Sequence, residues 1–449
     1  MMLRHKLFQS AFSFLSATVL GFALLAGEPL SARPVEIEYW HSMTGDKSDR
    51  MIELIKEFNA RADVKTRLVI NPQYVGTYND GINKLRAATM AGKGPHIAQI
   101  FEVGTRIMID SGVATPLEEF ATKDKTFGLE QMLPQVMRYY RVNGTLHSLP
   151  FATSNPIVYW NVDWFAKAGL NAAPKTLEEF TSVATKLTDA KAGLTGATWP
   201  IHSWFFEQFV ARQGAPLLDA DNGRSARPTK ALYASAEGVR FVSWWANLAR
   251  SGAWANLGRG WDPAVESFLA GRSAMLITST SEAFVIPSKA KFKVATAPIP
   301  LPTGVDAKLG GTIVGGNALW IMKAKPKPEQ ELAYEFVRFM ASAATQRKWH
   351  IGTGYFPIRR DVIAELEKEG FYKKNVAART AIDQLLASAD SPVTHGALMG
   401  VFLEARDHVE SAIEEVLAGK ATVEEALKKA AGRTDKALER YNRTTKSGH

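Results

Sequence analysis

The side chains of this 449-residue chain that could break bonds or hold a metal do not gather into a reactive pattern. Cysteine is absent, which removes thiolate nucleophiles and thiolate metal ligands together. A serine-hydrolase elbow needs GxSxG, a zinc protease HExxH and a phosphate-cradling loop GxxxxGK[ST], and the chain contains none of them. Its nine histidines are scattered without metal-ligand spacing, which favours solvated or core roles. Asp219-Ala220-Asp221-Asn222-Gly223 begins like a calcium loop, but its twelfth position is Lys230 where a bidentate Glu is required, so it reads as a turn. The 45 acidic residues leave a glycosidase-type carboxylate pair open, because its spacing is spatial and not sequential. No catalytic residue, metal or cofactor is assigned.

Any functional groups must be positioned by more than one core, because 449 residues exceed a single ordinary domain. Val35 to Tyr39 alternates and is β-rich, which predicts the first strand. Residues 47–61 place Ile52, Ile55 and Phe58 at helical spacing. A strand over 66–70, a helix from Tyr78 to Met90 and a strand from Ile97 to Phe101 follow. Strand alternating with helix implies a mainly parallel sheet covered on both faces, with ligands beyond the carboxyl ends of its strands. Glu102 directly follows such an end. Asn143-Gly144 predicts a hairpin turn before Leu146 to Phe151. The pattern breaks over Ala152 to Pro156, and a new strand starts at Ile157 to Trp160, which suggests a crossing into a second lobe. Thr176-Leu177-Glu178-Glu179 has the capping-box pattern of a helix start. Further crossings are expected at Gly315-Gly316 and near Ala387 to Pro392. The tail from Val409 to about Tyr441 is helical and restarts after Gly419.

At the start, Arg4, His5 and Lys6 precede an apolar run from Ala11 to Ala26, then Pro29 and Ser31-Ala32. That order is a secretory signal peptide with cleavage near Ala32; a retained membrane anchor is the alternative. Without cysteine no lipid anchor can form, so a free periplasmic protein stabilised by its core is expected. The formal charge of +9 becomes +8 when Arg4, Lys6 and Glu28 leave with the signal. A positive field steers anions modestly, or is simply a basic surface. No dense Lys/Arg cluster with interleaved aromatics is present, so nucleic acid is not an expected partner.

Six motifs occur in order along the mature chain: Trp40-His41-Ser42-Met43, Phe101-Glu102-Val103-Gly104-Thr105, Pro150-Phe151, Phe268-x-x-Gly271-x-x-Ala274-Met275, Gly315-Gly316 and Thr353-Gly354-Tyr355-Phe356-Pro357-Ile358. Together they resemble the periplasmic sn-glycerol-3-phosphate-binding proteins that serve ABC importers. The resemblance implies an α/β, two-lobe periplasmic-binding-protein fold like that of maltose-binding protein, with mixed sheets flanked by helices and three interlobe crossings. On that basis residues 1–32 are the signal peptide, 33–153 and 316–387 the N-terminal lobe, and 154–315 and 388–449 the C-terminal lobe. It also implies a monomer that closes over a phosphate-bearing glycerol ligand and delivers it to an ABC permease with its ATPase.

Carried across by motif, the ligand contacts fall on Tyr78, Glu102, Ser154, Ser279, Gly315, Tyr355 and Arg406. Arg406 offers a forked donor set suited to phosphate, or else forms a salt bridge. Tyr78 and Tyr355 offer a ring and a hydroxyl, and core packing is their alternative. Ser154, Ser279 and the Gly315 N–H could complete an anion cradle. Glu102 suits ligand hydroxyls, or a cationic head group, since phosphate oxygens cannot donate to it. The family carries two tryptophans three apart in the second lobe. Here Trp199-Pro200-Ile201-His202-Ser203-Trp204 spaces them five apart, so at most one of Trp199 and Trp204 keeps that place, with His202 as a replacement wall or added donor. Competing readings are a binding protein for a neutral oligosaccharide and a periplasmic hydrolase.

Overall fold

The computed structural model describes residues 33–446. The signal-peptide reading concerns residues 1–32, which lie outside the described residues. β1 (Val35–His41) turns Ile37, Tyr39 and His41 inward, as its alternation requires. It pairs in parallel with β2 (Leu68–Tyr74) and β3 (Ile97–Phe101). The connections are helical, because parallel neighbours need a long crossover. Helix Gly45–Ala60 buries Met51, Leu54, Ile55 and Phe58, one face of a 3.6-residue period; Ile52, expected on that stripe, is only half-buried. Helix Tyr78–Met90 is fixed at its start by a capping box: Asp80 N–H donates to Thr77 Oγ1 at 3.3 Å, and Thr77 N–H to Asp80 Oδ2 at 2.9 Å.

β4 (Ala114–Thr115) is a short edge, and β5 (Arg141–Val142) with β6 (Thr145–Leu146) forms the expected hairpin. Its two-residue turn puts Asn143 (φ 50°) and Gly144 (φ 78°) in the left-handed region that a type I′ turn needs. β7 (Leu149–Ser154) then joins the first sheet, and β8 (Pro156–Asn161) the second, with only Asn155 between them. Ala152 to Ser154 therefore belong to a strand rather than to a pattern break. β9 (Thr195–Thr198), β10 (Trp254–Ala255), β11 (Ser273–Ser279) and β12 (Val294–Pro298) complete the second sheet in the order β10-β9-β11-β8-β12. The chain returns through β13 (Gly315–Met322), which gives the first sheet the order β2-β1-β3-β13-β4, with β7 also on β13.

The third transfer corrects the sequence reading. Residues 316–387 were expected in the first lobe, but helix Val376–Leu386 packs on β12 and β8 of the second sheet. Its Gln384 donates to Pro156 O at 2.8 Å and accepts from Ile299 N–H at 2.8 Å. The crossing thus lies between helix Arg360–Lys368 and Val376, ahead of the turn-rich 387–392 segment. An amphipathic helix reads the same in sequence whichever sheet it covers. Buried Asn155 ties the transfers together, donating to Thr312 Oγ1 and Ala381 O, both at 3.2 Å. Helices Phe402–Leu417 and Val423–Lys446 fold back on each other and pack on the second lobe. Asp219–Gly223 is a single short helical turn with Ala220, Asp221 and Asn222 in the left-handed region, and Asp219 Oδ1 accepts from Thr229 and Lys230 N–H.

Candidate functional site

Between the lobes lies a cleft of about 650 Å³. Nine of the ten residues assigned from sequence line it: Tyr78, Glu102, Ser154, His202, Trp204, Ser279, Gly315, Tyr355 and Arg406. The tenth, Trp199, does not. It is fully buried in the second lobe and stacked on Trp244 at 5.5 Å, because it leaves β9 pointing into the core. Another concavity of about 520 Å³, between helix Tyr78–Met90 and the helices after Val401, is mostly apolar and gathers none of the ten.

The first lobe supplies one wall. β3 ends at Phe101, so Glu102 sits at its carboxyl edge; antiparallel pairing of Asn317 with Phe101 brings Gly316 alongside. Gly316 N–H donates to Glu102 Oε2 at 3.0 Å. A Cβ at Gly316, which has φ 114°, would lie 1.7 Å from Ala152 O, so only glycine fits. Tyr78 opens its helix with its ring stacked on Phe101 at 5.0 Å, and its hydroxyl accepts from Asn317 Nδ2 at 2.9 Å. Tyr355 follows left-handed Gly354 and stacks on Trp349 at 5.7 Å. Burial pushes both phenols above their ordinary range, so both hydroxyls stay protonated and able to donate.

The second lobe supplies the opposite wall. Ser279 ends β11, and its Oγ accepts from Ser281 N–H at 3.1 Å, which leaves its proton for another acceptor. Between the two walls, Ser154 pairs with Gly315 at the ends of β7 and β13 of the first sheet, where the chain changes sheets. Trp204 lies over Gly315, where a Cβ would come within 2.9 Å of the indole nitrogen. It meets Trp261 at 5.8 Å, and His202 meets Trp261 at 5.1 Å, so three rings form a corner. His202 Nδ1 accepts from Trp204 N–H at 3.0 Å, which puts the imidazole proton on Nε2. Burial, then Arg406 and Arg259, pull His202 down to about 3, so it is neutral.

Arg406 carries the site's central charge, and it is heavily engaged. Nε and Nη2 donate to the two oxygens of Glu207 at 2.7 and 2.9 Å, and Nη2 also donates to Glu102 Oε1 at 2.9 Å. Nη1 is left without an acceptor among the described residues. Burial works against the guanidinium charge, but Glu207 and Glu102 outweigh it and raise the Arg406 pKa. Burial raises Glu102, and Arg406 offsets that only in part. The Glu102–Arg406 pair joins the lobes deep in the cleft, and Lys47–Glu282 joins them at its mouth at 2.6 Å.

The chain was compared with known families, proteins and structures. A family model described as bacterial extracellular solute-binding protein matches residues 53–380. The chain belongs to the bacterial extracellular solute-binding proteins. It is 32% identical over 441 residues to the sn-glycerol-3-phosphate-binding periplasmic protein UgpB of Escherichia coli K12, covering 96% of this chain and 98% of that one. Among solved structures, UgpB from Mycobacterium tuberculosis in complex with glycerophosphocholine matches at TM-score 0.75 and 21% identity, covering 90% of this chain and 99% of the other. The sugar-binding protein MalE of Xanthomonas citri matches at TM-score 0.76 and 18% identity, covering 92% and 100%. This solute-binding protein is therefore an ABC-importer component of the periplasmic or extracellular space, and membership implies a permease and ATPase as partners. No helix among the described residues is long and apolar enough to cross a membrane.

Sequence reasoning missed Lys47, Glu207, Trp261 and Glu282. Trp261 had a local signal, Gly260-Trp261-Asp262-Pro263, a helix start that carries a large, half-buried ring. The other three are ordinary charged residues whose importance comes from a neighbour on another element.

Proposed function

We propose that this solute-binding protein captures sn-glycerol 3-phosphate or glycerophosphodiesters, such as glycerophosphocholine, in the periplasm and delivers them as a free monomer to its permease. One observation carries the reading: nine residues assigned from scattered stretches of the sequence meet in one interlobe cleft around a buried arginine. In this reading Arg406 Nη1, His202 Nε2 and the hydroxyls of Tyr355, Ser154 and Ser279 donate to the phosphate. Glu102 accepts from the glycerol hydroxyls, and Trp204 covers the carbons. Hydrogen bonds to a charged group contribute about 1.5–3 kcal/mol each. Two or three made only when the lobes meet would reverse a closed-to-open ratio of about 1:99, which takes about 5.5 kcal/mol.

A neutral oligosaccharide is the second reading. It is favoured by the Trp204–Trp261 corner and by the two carboxylates that already neutralise Arg406. Isothermal titration of protein stripped of carried-over ligand, against sn-glycerol 3-phosphate, glycerophosphocholine and maltose, separates the two. Saturable binding of a phosphate compound, lost in Arg406→Ala, is expected. Binding of maltose alone overturns the phosphate reading, and hydrolysis of glycerophosphocholine overturns the binding-protein role itself.

A further inference from the structure

Glu207 never reaches the cleft surface. It sits one turn into helix Ser203–Arg212, is 6% exposed, and its Oε1 also accepts from Ser203 Oγ at 3.0 Å. Its two oxygens take Nε and Nη2, and Glu102 takes the other proton of Nη2. A guanidinium has five N–H donors, so only the two on Nη1 remain for a ligand. The fork that would grip a phosphate with two nitrogens is closed.

The charges around the site follow suit. Arg406 with Glu102 and Glu207 sums to one negative charge. The other groups facing it restore no cation. Lys47, on the first helix, is committed to Glu282 at 2.6 Å. Asp262, at the start of helix Trp261–Leu269, adds another carboxylate. Arg259 is occupied by Asp407, Glu410 and Glu414. Glu410, one turn beyond Arg406, also accepts from Ser203 N–H at 3.1 Å. His202 is neutral, and the buried phenols of Tyr78, Tyr139 and Tyr355 keep their protons.

Resting on the phosphate reading above, we propose that Glu207 is a specificity-determining residue that selects the charge state of the ligand. By closing the arginine fork and cancelling its charge, Glu207 makes the cleft accept a phosphate with one negative charge and reject one with two. The accepted class is phosphodiesters, together with phosphomonoesters in their singly ionised form.

The test is the pH dependence of an affinity ratio. A phosphomonoester loses its second proton near pH 6, whereas a phosphodiester has none to lose. Wild-type protein is titrated with sn-glycerol 3-phosphate and with glycerophosphocholine from pH 5 to pH 8. The monoester-to-diester ratio of association constants is expected to fall by about tenfold or more between pH 5 and pH 7.5, following the singly ionised fraction. Glycerophosphoglycerol, a diester without a cation, is titrated alongside, so that protonation of Glu102 opposite a choline head group is separated from ionisation of the phosphate. In Glu207→Gln, which keeps the shape of the side chain, the ratio should flatten, with the monoester gaining about tenfold at pH 7.5. A flat ratio in the wild type, or a wild-type slope in Glu207→Gln, overturns the proposal while leaving the phosphate reading in place. Should Glu207→Gln fail to fold, the wild-type profile alone decides. Binding of maltose with neither phosphate compound removes both.

Discussion

Replacing Arg406 with leucine should separate two loads that one guanidinium carries. It strands Glu102 and Glu207, whose side chains are each 8% exposed, without their cation. Removing one member of a buried ion pair costs about 3–5 kcal/mol, largely because the remaining charge is uncompensated. The structure divides that cost unequally. Glu207 belongs to the same lobe as Arg406 and reaches water only if its helix moves, so its share lowers the stability of that lobe. Glu102 is covered only because the lobes are together, and opening the cleft rehydrates it. Its one bond across the lobes, to Arg406 and worth about 1.5–3 kcal/mol, should therefore appear as a fall of about 10- to 150-fold in the ligand-free closed-to-open ratio. Small-angle scattering, with energy transfer between labels on the two lobes, reads the opening; urea unfolding reads the stability. pH supplies a second check. The folded pKa of Glu102 already lies above its ordinary value of 4.5 through burial, and losing Arg406 raises it further. The folded state then holds a proton that the unfolded chain has released, so stability declines as pH rises above about 4.5. The deficit of the variant should thus be full at pH 7 and shrink as pH falls toward 4.5. An unchanged interlobe distance at pH 7, with a stability loss under about 1 kcal/mol, would mean that Arg406 carries neither load.

Further outcomes follow from the same geometry. Trp199→Ala should cost about 3–5 kcal/mol of stability in urea with ligand affinity kept, whereas Trp204→Ala should weaken ligand binding by about tenfold or more in calorimetry. His350 is fully buried and pulled down to about 4 by that burial, so below its ordinary 6.5 the unfolded chain gains a proton that the folded one declines. Stability should fall by up to about 1.4 kcal/mol per pH unit through that window, and urea midpoints of His350→Gln at pH 7 and pH 5 should show a shallower loss. Gly316→Ala should destabilise by more than about 2 kcal/mol because its methyl meets the Ala152 carbonyl. Gly315→Ala should fold but bind ligand weakly, since its methyl displaces the Trp204 indole.

The first three strands with their two helices, and the hairpin at Asn143-Gly144, were legible because alternation, helical spacing and turn residues are local signals, whereas the short elements between Thr105 and Tyr140 carry no such periodicity. The third crossing was misplaced because Val376–Leu386 has the same apolar stripe wherever it docks, and the turn-rich residues after it suggested a boundary. The nine positions that line the cleft were named only through the family resemblance; by type alone, Tyr78 or Ser279 reads as an ordinary core or loop residue. Of the two tryptophans five apart, Trp204 lines the cleft and Trp199 does not, because a strand end and a helix start lie between them. Glu207 left no trace, since a glutamate inside a helix usually faces water, and only the position of Arg406, 199 residues later, turns it inward.

The place of β13 has a consequence for how the protein is made. This strand lies between β3 and β4 in the first sheet, and it pairs Asn317 with Phe101. Until residue 322 of 449 has been synthesised, the N-terminal lobe lacks an inner strand and β3 offers a bare edge. Contacts so distant along the chain form slowly. A nascent chain that cannot finish its first lobe stays threadable through most of its synthesis, as a protein bound for the far side of a membrane must. The same split that divides each lobe between distant stretches of chain thus makes completion of the first lobe a late event in synthesis.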